Sequence, residues 1–281
     1  MPELTNPRAE RVRSVRALAG RSVRERRGRF LVEGPQPVRE LTRFRADHVD
    51  EMFLTDEAAA RYPEILAASR AAGLTVRTGT REVLAAMSDD AQGVLAVGRA
   101  WDATATALPA RVRLVAVLAT VRDPGNAGTV IRVADAAGAD AVVLAGHSVD
   151  LFNPKVVRST AGSLFHLPVL RAPDLPAALE MLRVAGCAIL AADGAGSNDL
   201  DDLLDRCAPA GFGVVSEKAL GMPDLTVPTA WLFGNEAHGL SDAERAMADA
   251  VVRVPLRGAA ESLNLATAAA VCLYASARAH R

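Results

Sequence analysis

The sequence contains few cysteines and no long apolar run. Its three cysteines, Cys187, Cys207 and Cys272, are widely spaced along 281 residues. Their small, odd number argues against a disulfide framework or a zinc site and favours a reducing cytoplasm. The five histidines show no ligand spacing, so we expect no metal ion. No apolar stretch approaches the roughly 20 residues that span a bilayer, and the arginine-rich N-terminus predicts no signal peptide.

Lysine is also scarce, and arginine carries most of the positive charge. The chain has a formal net charge of −1. Residues 1–45 contain 12 arginines and 5 glutamates, a balance of +7, which leaves −8 for the remainder. A basic N-terminal arm on an acidic body indicates a partner that carries phosphate. A solvated helix face in an arginine-rich proteome is the alternative interpretation.

The apolar pattern predicts two α/β domains. Strands and helices alternate across residues 1–100, and residues 101–110 have the composition of a linker. The alternation resumes across residues 111–281, which predicts a parallel sheet covered on both faces. We found no internal repeat, and half of the residues are hydrophobic, which suits one large or two ordinary domains.

The individual elements follow from apolar periodicity and from glycine, proline and capping residues. Strands are predicted at residues 29–33, 49–55, 74–78, 93–97, 111–119, 141–145, 167–170, 187–192, 231–233 and 251–256. Helices are predicted at residues 7–20, 38–44, 61–72, 81–87, 129–137, 153–162, 175–185, 200–206 and 265–275, with a further helix that begins at Ser241 in a capping box with Glu244.

Three loops each follow a predicted strand and precede a predicted helix: residues 123–132, 234–240 and 255–264. Ligands bind open α/β sheets at the carboxyl ends of strands, where main-chain N–H groups and helix N-termini can form a nucleotide pocket. The common nucleotide motifs are absent, because Gly125 and Gly128 do not complete G-x-G-x-x-G. Taken singly, Asn126 is typical of a helix N-cap and Arg132 of a surface charge.

Taken together, the three loops resemble the motifs of the SpoU–TrmH family of RNA ribose 2′-O-methyltransferases. Residues 153–162 are similar to the family's segment after the first motif, and residues 1–100 to its N-terminal substrate-binding domain of ribosomal-protein type. Residues 211–228 are longer than the family pattern, and we assign them no role. The first motif is matched by Asn126, Gly128 and Arg132, the second by Gly234, Asn235, Glu236, Gly239 and Leu240, and the third by Pro255, Ser262, Leu263, Asn264 and Ala268.

The resemblance implies a fold and a cofactor that the apolar periodicity of the sequence does not predict. In this family the C-terminal segment threads through a loop to make a deep trefoil knot, an exception to the rule against knots. The knotted loops hold S-adenosylmethionine in a bent form. The family's main-chain contacts to the cofactor correspond to Gly234, Val254 and Leu263. We therefore expect an S-adenosylmethionine-dependent enzyme that methylates RNA.

The resemblance also assigns roles to five polar residues. Methyl transfer requires alignment of a ribose 2′-hydroxyl with the methyl carbon. A guanidinium is a poor base, so we expect Arg132 to bind a neighbouring phosphate and stabilise the forming alkoxide. Asn126 would orient the ribose or Arg132, and Glu236 and Asn264 would fix the loops. Ser262 would either touch the hydroxyl or cap the last helix.

RNA contacts are expected from basic residues in two segments. Lys155 and Arg158 would hold RNA phosphates through charge-assisted bonds, and Arg8 and Arg11 belong to the basic arm. The arm and the N-terminal domain favour ribosomal RNA over transfer RNA. The family also implies a homodimer, and the helix at residues 265–279 is apolar enough to place one face in its interface.

Other classes of function explain less of the sequence. A dinucleotide-dependent oxidoreductase accounts for the strand, turn, helix and strand at residues 111–150, but the glycine spacing is wrong and the three motifs stay unexplained. A ribosome-assembly protein without activity is a second alternative, and the intact set of Asn126, Arg132 and Asn264 counts against it. Transfer RNA remains the alternative substrate.

Overall fold

The computed structural model describes residues 2–104, 108–207 and 222–281. Contacts divide the chain into two compact units. The first unit extends to Asp102 and also includes Asp150–His166, whereas the second comprises Ala103–Val149 and Leu167–Arg281. The first crossing between units lies in the predicted linker. Residues 150–166 depart from the predicted division, since they pack with the first unit. Most of the unassigned segment at residues 211–228 lies outside the described residues.

The bounds of the helices and strands are as follows. The strands are β1 (Arg29–Glu33), β2 (Val49–Leu54), β3 (Val76–Thr78), β4 (Val94–Arg99), β5 (Leu114–Ala119), β6 (Ala141–Ala145), β7 (Val169–Ala172), β8 (Ala188–Ala192), β9 (Asn198–Asp199), β10 (Thr229–Phe233) and β11 (Ala250–Arg253). The helices are α1 (Glu10–Arg16), α2 (Arg21–Arg27), α3 (Pro35–Phe44), α4 (Asp56–Arg61), α5 (Pro63–Ala71), α6 (Arg81–Met87), α7 (Pro124–Ala136), α8 (Pro154–Ser159), α9 (Leu175–Val184), α10 (Leu200–Arg206), α11 (Asp242–Ala246) and α12 (Leu265–Ala279).

The first unit contains a four-stranded mixed sheet in the order β1-β4-β2-β3. Strand β4 runs antiparallel to both of its neighbours, and β2 and β3 are parallel. The helix predicted at residues 61–72 corresponds to α5, and the preceding helix α4, which ends just before Tyr62, was not predicted. The proline that follows disfavours a helical Tyr62, whose φ and ψ are −126° and 60°.

The segment at residues 150–166 is held in the first unit by burial and by charge. Val156, Val157 and Leu164 are fully buried, and α8 packs against β1. The carboxylate of Asp150 pairs with Arg24 at 2.6 Å, and the Arg24 side chain is 4% exposed. This pair and the apolar contacts explain why the segment leaves the domain that the sequence predicts for it.

The second unit is built on a seven-stranded sheet in the order β7-β6-β5-β10-β8-β11-β9. Every strand pair in it is parallel, which confirms the predicted parallel sheet. All residues of β5, β6 and β10 are buried. Such strands need apolar residues on both faces, as the continuous apolar runs predicted. Within the described residues, no helix is both long and apolar enough to cross a membrane.

In the second unit one helix starts earlier than predicted, and another starts as predicted with a different capping residue. Helix α7 begins at Pro124, so the expected turn-rich loop is its first turn, and its N-cap is Asp123 rather than Asn126. Helix α12 is capped by Asn264, whose side chain accepts the N–H of Ala266, rather than by Ser262. The capping box of Ser241 and Glu244 at the start of α11 is confirmed.

Candidate functional site

The three motif loops follow parallel strands of one sheet. Strand β5 ends at Ala119, β10 at Phe233 and β11 at Arg253. Strands β5 and β10 are neighbours, and β8 separates β10 from β11. Because parallel strands all end at the same edge, the three loops share the carboxyl edge of the sheet, which is where ligands bind in this architecture.

A chain of hydrogen bonds connects the three loops. The carboxylate of Glu236 accepts the main-chain N–H of Asp123 at 3.2 Å and lies 3.5 Å from Nδ2 of Asn126. Asn264 donates from Nδ2 to Oδ1 of Asn126 at 3.1 Å. Oδ1 of Asn264 in turn caps α12. Three of the predicted site residues, one from each motif, are thus brought together.

The second loop is shaped by its own backbone. Asn235 and Gly239 exchange two main-chain hydrogen bonds of 3.1 and 2.8 Å, and Nδ2 of Asn235 donates to the carbonyl of Thr120 at 2.9 Å. A Cβ atom on Gly234 would lie 2.4 Å from the carbonyl carbon of Gly239. The backbone on either side of this turn is therefore so close that only glycine fits at residue 234.

The third loop has main-chain groups without a hydrogen-bond partner among the described residues. Within the described part of the chain, no main-chain N–H or C=O of residues 254–263 makes a hydrogen bond. Val254 and Leu263 are half-buried, as is Gly234 in the second loop, whereas Ser262 is exposed. Unpaired main-chain groups beside half-buried apolar side chains match a planar heterocycle with polar edges.

Arg132 lies on α7, two turns beyond Asp123, and its side chain is exposed. Its guanidinium makes no hydrogen bond or ion pair with any residue that the structure describes. A guanidinium without an internal partner keeps all of its donors for a ligand. The geometry therefore leaves Arg132 available to an anionic group.

A cavity of about 520 Å³ lies beside the hydrogen-bonded loops. Its lining includes Arg122 and His238, which sequence reasoning missed, together with Thr120, Asn235 and Glu236. Both missed residues stand between or beside motif residues, so proximity to the motifs was the available signal. Thr120 has a φ of +54°, an unusual value for a threonine, at the point where β5 turns into the loop.

The basic residues expected to contact RNA differ in their surroundings. Arg158 forms ion pairs with Glu33, at 3.3 Å, and with Asp90. Burial raises the pKa of the Glu33 carboxyl, and Arg158 opposes that effect. Arg11 pairs with Glu51 at 2.5 Å. Lys155 and Arg8 are exposed.

The buried thiols have no role in the chemistry of this site. Burial raises the pKa of Cys187 to about 11 and that of Cys272 to about 12. The thiolate is the nucleophilic form, so both cysteines are inert at neutral pH. Among the described residues, no group of three or more His, Cys, Asp or Glu side chains has the arrangement of a metal site.

Comparison with known families matches both units of the chain. A family model described as the SpoU rRNA Methylase family matches residues 113–274. A second model, described as RNA 2'-O ribose methyltransferase substrate binding, matches residues 31–100. All three motif loops fall inside the first match.

Individual relatives extend the comparison. The 23S rRNA (guanosine(2553)-2'-O)-methyltransferase RlmP of Bacillus subtilis is 30% identical, with 98% of each chain covered. The 23S rRNA (uridine(2479)-2'-O)-methyltransferase of Streptomyces viridochromogenes is 40% identical over 55% of this chain. The matched region covers 49% of that protein, about half of its length. The crystal structure of the SpoU methyltransferase AviRb from Streptomyces viridochromogenes in complex with AdoMet superposes with a TM-score of 0.78 at 30% identity, covering 96% of this chain and 98% of that one.

Proposed function

The chain belongs to the SpoU family of ribosomal RNA methylases, and we propose that it transfers a methyl group from S-adenosylmethionine to a ribose 2′-hydroxyl of ribosomal RNA. The observation that carries this proposal is the hydrogen-bonded set of Glu236, Asn126 and Asn264, which joins the three motif loops at one edge of the sheet. The ribosomal RNA substrate and the free cysteines support the cytoplasm as the compartment.

The third loop supports the fit of the cofactor. S-Adenosylmethionine, when bound, supplies a methyl group activated by a sulfonium centre. Val254 and Leu263 would bind its adenine through main-chain groups that have no partner among the described residues, and Gly234 would border it from the second loop. Main-chain recognition needs a loop held in one shape, and the Asn264 cap supplies a fixed end to that loop.

Arg132 would act on the substrate side of the site. Its exposed guanidinium would bind a phosphate beside the target ribose and stabilise negative charge on the 2′-oxygen as the proton leaves. It would not accept the proton, because its pKa stays above about 12. Arg132 has no carboxylate partner among the residues that the structure describes, so its charge is available to the RNA.

The remaining site residues divide into loop supports and substrate contacts. The carboxylate of Glu236 and the amide of Asn264 would fix the loops, as their hydrogen bonds suggest. Asn126 uses its oxygen and one N–H in that set, and its second N–H stays available to orient the ribose. Ser262, which does not cap α12, would contact the hydroxyl.

We also propose the deep trefoil knot of the family. Strand β11 lies between β8 and β9, and residues 193–197 connect those two strands across its end. A Cβ atom on Gly196 would lie 2.7 Å from the main-chain nitrogen of Arg253. This close crossing supports a loop through which the C-terminal segment passes.

Domain roles follow the two family matches. Residues 1–100 would form the RNA-binding domain, and residues 150–166 pack with them. The linker at 101–110 leads from this domain to the catalytic domain. The catalytic domain comprises the rest of residues 111–281. Lys155 and Arg8 would contact RNA phosphates, and Arg11 would do so only in part, because Glu51 already pairs with it. Arg158 would do so only in part, because two carboxylates already pair with it.

A C2 homodimer through α12 is the proposed assembly. Val271 and Tyr274 are 39% and 52% exposed, and with Thr267 and Arg278 they form one stripe of the helix. Together with α7 and α10 the stripe borders a groove of about 490 Å³. A partly apolar face of this kind suits a second copy of the same surface.

Tyr274→Glu should therefore convert a dimer into monomers, because it places a charge in the proposed interface. Sedimentation velocity at micromolar concentration measures the change, and Val184→Glu, at an apolar side chain that is 81% exposed on α9, serves as the control. A wild-type protein that sediments as a monomer would show the proposed assembly to be wrong.

Transfer of radiolabelled methyl groups tests the proposed activity. The purified protein is incubated with labelled S-adenosylmethionine and either ribosomal or transfer RNA. We expect label in ribosomal RNA. Label in transfer RNA alone would favour the alternative substrate, and binding of both ligands without transfer would favour a non-catalytic assembly protein. Competition by NAD for the cofactor site would favour the oxidoreductase.

A further inference from the structure

The first unit carries an exposed aromatic ring that its fold does not require. Phe44, the last residue of α3, is 48% exposed and is the most exposed large apolar side chain among the described residues of that unit. The buried face of α3 is supplied by Val38, Leu41 and Thr42. Phe44 lies at the edge of that face, so its ring contributes little to the core.

Neighbouring side chains fix the orientation of this ring. The His166 ring lies 4.4 Å from that of Phe44, centroid to centroid, with the planes at 52°. Nε2 of His166 lies 3.2 Å from a carboxylate oxygen of Glu40, one turn before Phe44. The guanidinium carbon of Arg43 lies 5.1 Å from the centroid of the Phe44 ring. The ring is thus held from two sides and still half open to solvent.

The arginines beside Phe44 are among those of the first unit that have no acidic partner in the described part of the chain. Arg43 and Arg45 form no ion pair with any described residue, and Arg45 lies over Trp101 at 5.5 Å. Two cations without an acidic partner among the described residues are therefore the sequence neighbours of an exposed ring. The arginines of the unit that do pair with Asp or Glu are Arg11, Arg21, Arg24, Arg29, Arg39, Arg77, Arg81, Arg99 and Arg158.

We propose that Phe44 stacks an unpaired base of the RNA substrate while Arg43 and Arg45 hold the phosphates on either side of it. This inference rests on the proposed function for its ligand. Aromatic rings and arginines are the groups that recognise single-stranded RNA. A protein partner fits less well, because one ring between two arginines is far smaller than the apolar centre of a stable interface.

Binding of a short fluorescent polyuridine oligonucleotide tests the proposal in the full-length protein. Stacking of one base on an aromatic ring predicts that Phe44→Ala weakens the affinity about tenfold, whereas Phe44→Trp retains it. Arg43→Gln should make the plot of log affinity against log salt concentration less steep by roughly 0.7, because one phosphate contact is lost. Phe44→Ala should leave the steepness unchanged. Thermal unfolding of each variant checks that the fold is intact.

Arg61→Gln is the matched control, because Arg61 also lies over an aromatic ring, that of Tyr62 at 5.4 Å, and carries the same charge. An equal loss in Arg61→Gln and Arg43→Gln would overturn the proposal, since it would reveal only general attraction to RNA. Wild-type affinity for the oligonucleotide in Phe44→Ala would also overturn the proposal. If that variant in addition sedimented differently from the wild-type protein, Phe44 would belong to a protein contact.

Methyl transfer to large-subunit ribosomal RNA separates this inference from the proposed function. If the wild type transfers methyl groups, Phe44→Ala should raise KM for the RNA and leave kcat unchanged. An unchanged KM would contradict the stacking role and leave the activity established. Loss of oligonucleotide affinity in Phe44→Ala without any transfer by the wild type would support the stacking role while the proposed function fails.

Discussion

At the scale of single residues, Glu236 connects the first and second motif loops through hydrogen bonds to the backbone of the first loop. Its carboxylate accepts main-chain N–H groups of Arg122 and Asp123 and lies beside the amide of Asn126. Each of these bonds contributes only about 1 kcal/mol to stability, and Glu236 is exposed. Their effect is geometric, since they fix the first loop against the second, and Asn264 joins the third loop to this set through Asn126.

Arg132→Ala should abolish methyl transfer and leave the affinity for S-adenosylmethionine nearly unchanged. The lost guanidinium would stabilise charge only in the reaction, so we expect a fall in kcat of about a hundredfold or more. Isothermal titration and a methylation assay measure the two quantities. Arg113→Ala, which removes an exposed arginine just before β5 at its amino end, should match the wild type. Activity above about a tenth of wild type in Arg132→Ala would reject the role.

Individual side-chain roles were only partly predictable from the sequence. The motifs singled out Asn126, Glu236 and Asn264, which the structure brings together. The sequence offered Ser262 as a possible cap of α12, whereas the cap is Asn264, because both residue types cap helices well and both precede the apolar run. Which residue caps depends on backbone angles that the loop between two packed elements imposes.

At the scale of elements, burial decided which predictions held. The strands of the parallel sheet were recognised because they are apolar on both faces. Helix α2 was missed because its one buried residue is Arg24, whose partner Asp150 is 126 residues away. A hydrophobic pattern carries no signal for a helix held by a buried ion pair. The two-residue strand β9 was missed because it is too short to show alternation.

Gly234→Ala should destabilise the protein, because the added Cβ would lie 2.4 to 2.6 Å from the backbone of Gly239 and Leu240. Such overpacking costs about 1–3 kcal/mol. Chemical denaturation measures the loss. Gly194→Ala is the control in a neighbouring loop, since its Cβ would meet nothing within 4 Å. Equal stability of the two variants would contradict the close approach at Gly234.

At the scale of the whole molecule, the basic arm is less available to RNA than its charge suggests. Residues 1–45 carry a balance of +7 in the sequence. Several of these arginines pair with acidic side chains from elsewhere in the first unit, among them Arg11 with Glu51 and Arg29 with Asp50. The attraction for phosphate must therefore come from the unpaired arginines, which the net charge of a segment does not identify.

Deletion of residues 1–100 should expose the apolar side chains of residues 150–166, which are buried against the deleted part. The truncated chain is expected to bind the dye ANS more strongly than the full-length protein. A second truncation that also replaces residues 150–166 with a Gly/Ser linker should bind little dye. Weak dye binding by the first truncation would show that the segment does not depend on the first unit.

The number of units was predictable, but the path of the chain between them was not. The linker composition at residues 101–110 marked the first crossing. Residues 150–166 follow β6 with no break in composition, and their place in the first unit depends on contacts such as Arg24 with Asp150 that connect distant parts of the sequence. Their similarity to a family segment gave their position in the motif order and no information on the unit they join.

Mapping the methylated atom in ribosomal RNA tests most directly whether the protein is a ribose 2′-O-methyltransferase. Large-subunit ribosomal RNA is treated with the protein and S-adenosylmethionine and then hydrolysed with alkali, which spares the bond that follows a 2′-O-methylated ribose. We predict a single protected position that depends on the cofactor and is absent with Arg132→Ala. Methylation on a base, or no methylation by a protein that binds both the cofactor and the RNA, would contradict the account.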